Sequence, residues 1–123
     1  MTVSPRTARI EGLQGLRYRD NTANWAESTE SAPALVPDGE TDRVYLGAPS
    51  RIRLRDGSRC LRLENSGFAS VVVWNPGPGS DEKYDFAPGE WSQFVCIEPA
   101  TVFEPVVGQP GATWTATHTI TVE

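Results

Sequence analysis

Apolar and polar residues alternate with a period of two in several parts of the chain, and this pattern predicts β-strands. The longest such run spans residues 113–122, where every second position is a threonine. The positions between the threonines include Trp114, Ala116, His118 and Ile120. This strand is therefore expected to have one largely apolar face and one face of hydroxyl groups. No segment of the chain shows a convincing helical period.

A β-hairpin is predicted at residues 50–65, where strands 50–55 and 59–65 flank the tripeptide Asp56-Gly57-Ser58. The Asp-Gly pair favours a tight hairpin turn because such a turn requires positive φ angles. Alternation places apolar side chains on one face of the hairpin and charged side chains on the other. The apolar residues are Ile52, Leu54, Leu61 and Leu63, and the charged residues are Arg53, Arg55, Arg62 and Glu64.

The remaining strands are predicted to be short. They are expected at both ends of segment 9–20, in segment 40–47, and at residues 70–74, 93–98 and 101–107. Residues 1–8 are interpreted as a loose lead-in, and residues 21–38, which have no clear period, as a long loop. Roughly eight short strands with regular turns predict one all-β domain over residues 1–123, built as an antiparallel sandwich.

Charge and hydropathy narrow the range of partners. The net charge is −5 and no basic patch stands out, so binding to nucleic acid or to an anionic membrane surface is not expected. No apolar run approaches transmembrane length, and the first nine residues lack the apolar core of a signal peptide. The cytoplasm is therefore the expected compartment.

The reactive residue types are few. Cys60 and Cys96 each lie in an apolar strand pattern, which favours buried free thiols over a disulfide but leaves the disulfide open. The single histidine, His118, is best interpreted as a packed or hydrogen-bonded strand residue, since nothing near it suggests a nucleophile. Gly77-Pro78-Gly79 lacks the lysine and helix of a phosphate loop and is interpreted as a rigid turn. No metal site and no cofactor are expected.

Glu98 is the most informative polar residue. It follows the apolar run of residues 94–97, and Pro99 is expected to end the strand directly after it. A carboxylate that closes a buried strand is costly unless it is paired or functional. Glu98 could bind a backbone amide or an arginine. Likewise, Asp42 and Arg43 could form a surface ion pair, and Trp74 and Asn75 could belong to the core and to a turn.

Several motifs in combination resemble one family. They are Glu-Gly-Leu-x-Gly-Leu-x-Tyr-x-Asp at 11–20, Glu-Thr-Asp-Arg-Val-Tyr at 40–45, Val-Val-Val-Trp-Asn-Pro at 71–76, Phe-Val-Cys-Ile-Glu at 94–98 and Pro-Gly-x-x-Trp at 110–114. Each motif is weak alone. Together they resemble the aldose 1-epimerase superfamily, in its hexose-6-phosphate mutarotase (glucose-6-phosphate 1-epimerase) branch, over about residues 8–121.

The resemblance implies a galactose-mutarotase-type antiparallel β-sandwich and an enzyme that interconverts the anomers of a hexose. It implies that Glu98 is the general base that takes the proton from the anomeric hydroxyl, and that Asp42 binds sugar hydroxyls. Arg43, Trp74 and Asn75 lie in matching motifs and are expected to contact the substrate. This chemistry needs a base at the anomeric O–H and an acid at the ring oxygen, and a carboxylate suits the first role.

The chain also departs from the family. Family enzymes are longer, and their acid histidine and phosphate-binding arginines come from an N-terminal half that has no counterpart here. The chain therefore resembles roughly the C-terminal half of a mutarotase, with hexose or hexose phosphate binding weak or lost and little or no activity alone. The apolar face and strand edges of half a sandwich favour a homodimer. The alternative is a non-catalytic sugar-binding or structural module that works as a homodimer or with a partner chain.

Overall fold

The computed structural model describes residues 2–123 and contains ten β-strands in two five-stranded antiparallel sheets. The strands are β1 (Arg9–Glu11), β2 (Arg17–Asp20), β3 (Ala26–Thr29), β4 (Ala34–Leu35), β5 (Thr41–Tyr45), β6 (Arg51–Asp56), β7 (Arg59–Ser66), β8 (Ser70–Asn75), β9 (Cys96–Ala100) and β10 (Thr117–Val122). Sheet 1 has the order β10-β7-β6-β1-β4, and sheet 2 the order β3-β2-β5-β8-β9. The predicted all-β antiparallel sandwich is confirmed.

Short helical elements interrupt the strands. Helix α1 spans Asp81–Tyr84, and two 3₁₀ turns span Asn21–Ala23 and Glu90–Gln93. These elements have only three or four residues, too few for a helical period to register in the sequence. Within the described residues, no helix is long and apolar enough to cross a membrane.

The hairpin of β6 and β7 forms where the sequence predicted it. Leu54 lies opposite Leu61 and Ile52 opposite Leu63, with Gly57 in the turn at a φ of 61°. Their side chains point into the space between the two sheets. There they meet Tyr45, Val71 and Val73 of sheet 2, all three fully buried. Each such apolar side chain contributes roughly 1.5–3 kcal/mol when it is fully removed from water.

The other face of this hairpin carries charged side chains, as predicted. This surface, the outer face of sheet 1, holds the ion pairs Arg55–Glu11, Arg51–Glu64, Arg62–Glu64, Arg53–Glu123 and Arg62–Glu123 at N–O distances of 3.0–3.7 Å. Because these side chains remain partly exposed to water, each pair contributes little to stability.

The segments predicted as a lead-in and a loop are more ordered than expected. Ala8 is fully buried, and the Val3 amide donates a hydrogen bond to the Gln93 carbonyl at 3.0 Å, so residues 2–8 pack onto the body. Residues 21–38 contain a 3₁₀ turn and the strands β3 and β4 instead of a long loop. The sequence did not reveal β3 because it is an edge strand with all four residues exposed, which removes the need for apolar alternation.

The C-terminal strands also differ from the prediction. Residues 101–107 form no strand, and β10 begins at Thr117, four residues later than expected. The strand predicted at 93–98 begins at Cys96 and continues through Pro99, which does not end it. A proline is tolerated there because β9 is the edge of sheet 2, where one side of the backbone needs no partner.

Candidate functional site

Sheet 2 has two faces with different roles. One face packs on the core through Tyr45, Val71 and Val73. Side chains at the alternate positions point to the opposite side, which is the outer face of sheet 2. The strand register defines two rows of side chains on this face. Asp42, Trp74 and Cys96 form the first row, and Arg19, Val44, Val72 and Glu98 form the second.

Three of the residues predicted to form the site therefore share one surface. Asp42 lies directly opposite Trp74, and Glu98 lies one strand further and one side-chain position along from it. Strand spacings of about 4.8 Å and residue rises of about 3.4 Å separate the Cα atoms of Asp42 and Glu98 by roughly 12 Å. The two carboxylates thus stand on either side of Trp74 and Val72.

The Asp42 carboxylate is oriented by a neighbouring turn. Asn21 donates a hydrogen bond from Nδ2 to Asp42 Oδ2 at 2.8 Å. Asn21 opens the first 3₁₀ turn, and Asp20 caps that turn by accepting from the Thr22 amide at 2.8 Å. Because the amide of Asn21 fixes one carboxylate oxygen, the other oxygen of Asp42 remains available for a ligand hydroxyl.

Trp74 belongs to an aromatic cluster made of Trp74, Tyr84, Phe86 and Phe94. The Trp74 ring packs edge-on against Tyr84 at 5.5 Å and at a tilt against Phe94 at 5.9 Å. Phe86 contacts both Tyr84 and Phe94. The cluster holds the half-buried Trp74 ring in one orientation at the edge of the carboxylate-bearing surface.

A second aromatic group lies beside Arg19, at the end of the second row that is furthest from Glu98. Phe103 packs edge-on against Trp25 at 5.9 Å, and the Arg19 guanidinium lies 5.0 Å from the Phe103 ring. Trp25 has a φ of 61°, which is unusual for a bulky residue and is often found at ligand sites. Val44 is only 3% exposed although it points away from the core, so this end of the outer face is covered.

The sequence suggested that Glu98 closes a buried strand, but the structure shows that it does not. It lies in the middle of β9 with its side chain exposed, opposite Val72. Cys96 points to the same side, and burial together with the negative charge of Glu98 raises the pKa of the Cys96 thiol. The thiol therefore stays protonated at neutral pH.

Asn75 points to the core side of sheet 2, away from the carboxylates. It is fully buried, and its Nδ2 donates to the carbonyls of Trp91 and Phe94, both at 2.8 Å. Its Oδ1 accepts from the Gly77 amide at 2.9 Å. Asn75 thus fixes both ends of the connection that carries the aromatic cluster, and it shapes the outer face indirectly.

Arg43 also points away from Asp42 and Glu98. Its Nη1 lies 2.8 Å from Glu30 Oε2, and the Tyr45 hydroxyl donates to the same oxygen at 2.8 Å. Glu30 is 5% exposed and is the buried carboxylate among residues 2–123, whereas Glu98 is exposed. Burial and the Glu30 hydrogen bond raise the pKa of Tyr45. Sequence reasoning missed Glu30 because it lies in a polar segment without a period.

Of the remaining reactive groups, Cys96 lies on the outer face of sheet 2, whereas Cys60 and His118 belong to sheet 1. Both cysteines are free thiols, as expected. His118 is a strand residue of sheet 1, with Nδ1 2.6 Å from Asn65 Oδ1, so it does not share a sheet with Glu98. No group of three or more His, Cys, Asp or Glu side chains within residues 2–123 is arranged to hold a metal ion.

Known proteins with similar sequences and structures agree with this fold. No protein-family model matches the chain. A protein from Cenchrus ciliaris named "Putative glucose-6-phosphate 1-epimerase" is 36% identical over 109 residues, which are 86% of this chain and 33% of that protein. The chain therefore spans about a third of the length of this curated relative.

Two solved structures superpose on almost the whole chain. One is described as a putative mutarotase, YeaD from Salmonella typhimurium, with a TM-score of 0.89 and 25% identity over 98% of this chain and 42% of that chain. The protein HI1317 has a TM-score of 0.75 at 14% identity, again over 98% and 42%, and shows the fold alone. The resemblance seen in the sequence motifs is confirmed. The chain is similar to part of the length of a putative glucose-6-phosphate 1-epimerase and to part of the length of a putative mutarotase.

Proposed function

We propose that the outer face of sheet 2 is a carbohydrate site of the mutarotase type, which takes a hexose or a hexose phosphate. The observation that carries this proposal is that Asp42, Trp74 and Glu98 share one surface although they come from three different strands. Carboxylates accept hydrogen bonds from sugar hydroxyls, and an aromatic ring suits the apolar C–H face of a sugar. The name of the Cenchrus ciliaris relative supports a hexose phosphate as the ligand.

In this proposal Glu98 acts as the base that receives the proton of the anomeric hydroxyl, and Asp42 and Trp74 hold the sugar. Ring opening also needs a proton donor at the ring oxygen. His118 is unsuited to this role because it lies in sheet 1, and the raised pKa of the Cys96 thiol makes it a weak acid. Without a general acid the rate falls by about 10²–10⁴-fold. The isolated chain is therefore proposed to bind sugar weakly and to catalyse little or no anomerisation.

Arg43 and Asn75 act as positioning residues in this proposal. Both were expected to contact the substrate, but the side chain of Arg43 is engaged by Glu30 and that of Asn75 by backbone groups. Their contribution to sugar binding is to hold sheet 2 and the aromatic cluster in place. Replacing either residue should therefore reduce the stability of the fold together with binding.

Calorimetric titration with glucose-6-phosphate and with glucose tests the site. Wild-type protein should bind weakly, and Asp42→Asn should weaken binding by about tenfold, because it removes a charged acceptor. Glu64→Gln is the matched control, since it makes the same type of change on the outer face of sheet 1. Equal loss of binding in both variants, or no binding by the wild type, would contradict the proposal. Comparing the two sugars shows whether the phosphate is recognised.

The activity is tested separately by following the anomerisation of glucose-6-phosphate. A rate near the uncatalysed one is expected for the wild-type chain and for Glu98→Gln alike. Brisk turnover that Glu98→Gln abolishes would show that the chain supplies its own acid, and the proposed inactivity would then be wrong.

A homodimer in the cytoplasm is part of the same proposal. The observation that favours self-association is a group of exposed apolar residues in the last part of the chain, among them Trp114, Ile120 and Val122. The alternative is a non-catalytic structural or sugar-binding module, which would use the same apolar residues to form a homodimer or to bind a partner chain. Two free thiols suit a reducing compartment.

A further inference from the structure

The edges of the two sheets differ in how they are protected against pairing with another strand. Edge strands usually carry charges or prolines, or are very short, because their unpaired backbone groups can template another strand. β9 carries Glu98 and Pro99, β3 carries Glu27 and has four residues, and β4 has only two residues. β10 has six residues and contains neither a proline nor an acidic or basic residue other than His118.

β10 is firmly attached to sheet 1 on its other side. It pairs with β7 over its whole length, and the hydroxyls of Thr117 and Ser66 lie 2.6 Å apart. A Cβ on Gly67 would lie 2.5 Å from the Thr115 carbonyl oxygen, so only glycine allows such a close approach to the segment that leads into β10. β10 is therefore held in a fixed position at one edge of sheet 1 as residues 2–123 form it.

The register shows which backbone groups this edge offers. The Glu123 amide donates to the Cys60 carbonyl at 2.8 Å, so the backbone groups of residues 123, 121, 119 and 117 point towards β7. The N–H and C=O groups of His118, Ile120 and Val122 consequently point outwards. No other strand within residues 2–123 pairs with this side of β10.

We infer that two copies of this chain associate through antiparallel pairing of their β10 strands, with the two-fold axis at Ile120. This inference rests on the homodimer of the proposed function and assigns its interface. In this register Ile120 lies opposite Ile120 of the second copy, and His118 lies opposite Val122 in both directions. The three residue pairs exchange two hydrogen bonds each, which gives six and uses every outward-pointing group of the edge.

Side-chain chemistry selects this register over its neighbours. A shift by one residue would place threonines opposite apolar residues on the wrong face. A shift by two residues towards the N-terminus would pair His118 with Ile120 and leave Val122 without a partner. In the chosen register the exposed side chains of Ile120 (58%) and Val122 (75%) are shielded by the second copy.

Charge also permits a second copy at this edge. The carboxylate that directly follows β10 in the chain is that of Glu123, which would lie opposite Thr117 of the other chain. Glu123 is already within 3.7 Å of Arg53 and 3.4 Å of Arg62 in its own chain. No like charges are therefore brought face to face, although the chain as a whole carries a net charge of −5.

Complementary charges at position 120 test this geometry. Ile120→Lys and Ile120→Glu should each be monomeric in sedimentation velocity at micromolar concentration, because each places like charges opposite each other across the two-fold axis. An equimolar mixture of the two variants should restore a dimer. Thr119→Lys is the control, since it lies one position away on the hydroxyl face and should retain the dimer.

Cysteine variants test the same geometry even if the variants with a charge at position 120 fold poorly. Ile120→Cys should form a disulfide-linked dimer under mild oxidation, whereas Val122→Cys should not, because residue 122 lies opposite residue 118. A wild-type monomer would overturn both the inference and the homodimer, and a dimer that persists in Ile120→Lys would overturn only the inference. Binding of a separately expressed mutarotase N-terminal half to this edge would assign the edge to that partner instead.

Discussion

The outer faces of the two sheets have the same position in the sandwich but carry opposite chemistry. The outer face of sheet 1 is a lattice of arginine–glutamate pairs, exemplified by Arg55–Glu11 and Arg51–Glu64. The outer face of sheet 2 has no such lattice between β5, β8 and β9, and instead presents Trp74 between the carboxylates of Asp42 and Glu98. Paired charges need no further partner, whereas separate carboxylates beside an aromatic ring suit a polar ligand with an apolar face.

The contrast extends to what lies beneath the two faces. Sheet 1 rests on aliphatic residues such as Ile52 and Leu63. Beneath sheet 2, the partly buried Arg43 and the buried Tyr45 share the buried Glu30 carboxylate, and Asn75 is also fully buried. Buried polar networks are costly unless every group is satisfied, and once satisfied they hold their surroundings in one arrangement. The buried polar groups beneath sheet 2 therefore hold its surface residues in one orientation.

The largest effect should come from breaking the network under sheet 2. Glu30→Ala leaves Arg43 and the Tyr45 hydroxyl without their shared partner and should lower the free energy of unfolding by about 3 kcal/mol. Urea denaturation measures this change. Glu27→Ala is the control, because Glu27 forms an exposed pair with Arg17 and should cost less than about 1 kcal/mol. Similar losses in both variants would remove the distinction between buried and exposed pairs.

A smaller effect is expected at Asn75. Asn75→Ala leaves the Trp91 and Phe94 carbonyls and the Gly77 amide unpaired, which should cost about 1–3 kcal/mol. Because Asn75 fixes the connection that carries the aromatic cluster, the near-ultraviolet circular dichroism signal of Trp74 and its neighbours should also weaken. A stable variant with an unchanged aromatic signal would show that Asn75 does not support the cluster.

The ion pairs on the outer face of sheet 1 should matter less. Glu64→Gln removes the partner of Arg51 and Arg62 and should change the free energy of unfolding by at most about 1 kcal/mol, with a smaller change at high salt. Thermal unfolding at low and high salt measures this. A large, salt-independent loss would mean that this face is more than a solvated surface.

The smallest effect is expected for the reactivity of the two thiols. Cys96 lies on the outer face of sheet 2 and Cys60 on that of sheet 1. Burial and Glu98 raise the pKa of Cys96, and burial and Glu123 raise the pKa of Cys60. Since a raised thiol pKa lets the folded state hold protons that the unfolded state has released, stability should fall as the pH rises above about 9. Glu98→Gln should accelerate alkylation of Cys96 at pH 8 several-fold and leave Cys60 unchanged. Glu123→Gln should do the reverse.

Mass spectrometry of the alkylated peptides resolves the two sites. Equal acceleration of both cysteines by Glu98→Gln would indicate a general loosening of the fold. No acceleration at Cys96 would mean that Glu98 does not influence this thiol.

The sequence sufficed for the parts of the fold that depend on short-range patterns. The β6–β7 hairpin follows from Asp56-Gly57 and from strict alternation, and the faces of β10 follow from its threonines. β3 was not predicted because an exposed edge strand needs no apolar pattern. Residues 101–107 contain strand-forming residues and were predicted to form a strand, but they form none. Strand formation depends on neighbouring strands in space, which the sequence does not reveal.

The candidate site was only partly predictable for a related reason. Asp42, Trp74 and Glu98 alternate with core residues, so their common face depends on the register between β5, β8 and β9. The same register turns Arg43 and Asn75 to the core side, which motif matching does not reveal. Glu30 could not be found because its burial arises from contacts with Arg43 and Tyr45, which are distant in sequence.

The proposed role of the outer face of sheet 2 is tested most directly by a nuclear magnetic resonance titration with glucose-6-phosphate. The predicted result is concentration-dependent shifts for the Trp74 indole and for the amides around Asp42 and Glu98, with residues on the outer face of sheet 1, such as Arg53 and Glu64, unaffected. The absence of any shift at millimolar sugar, or shifts confined to sheet 1, would contradict the assignment of a carbohydrate site to this surface.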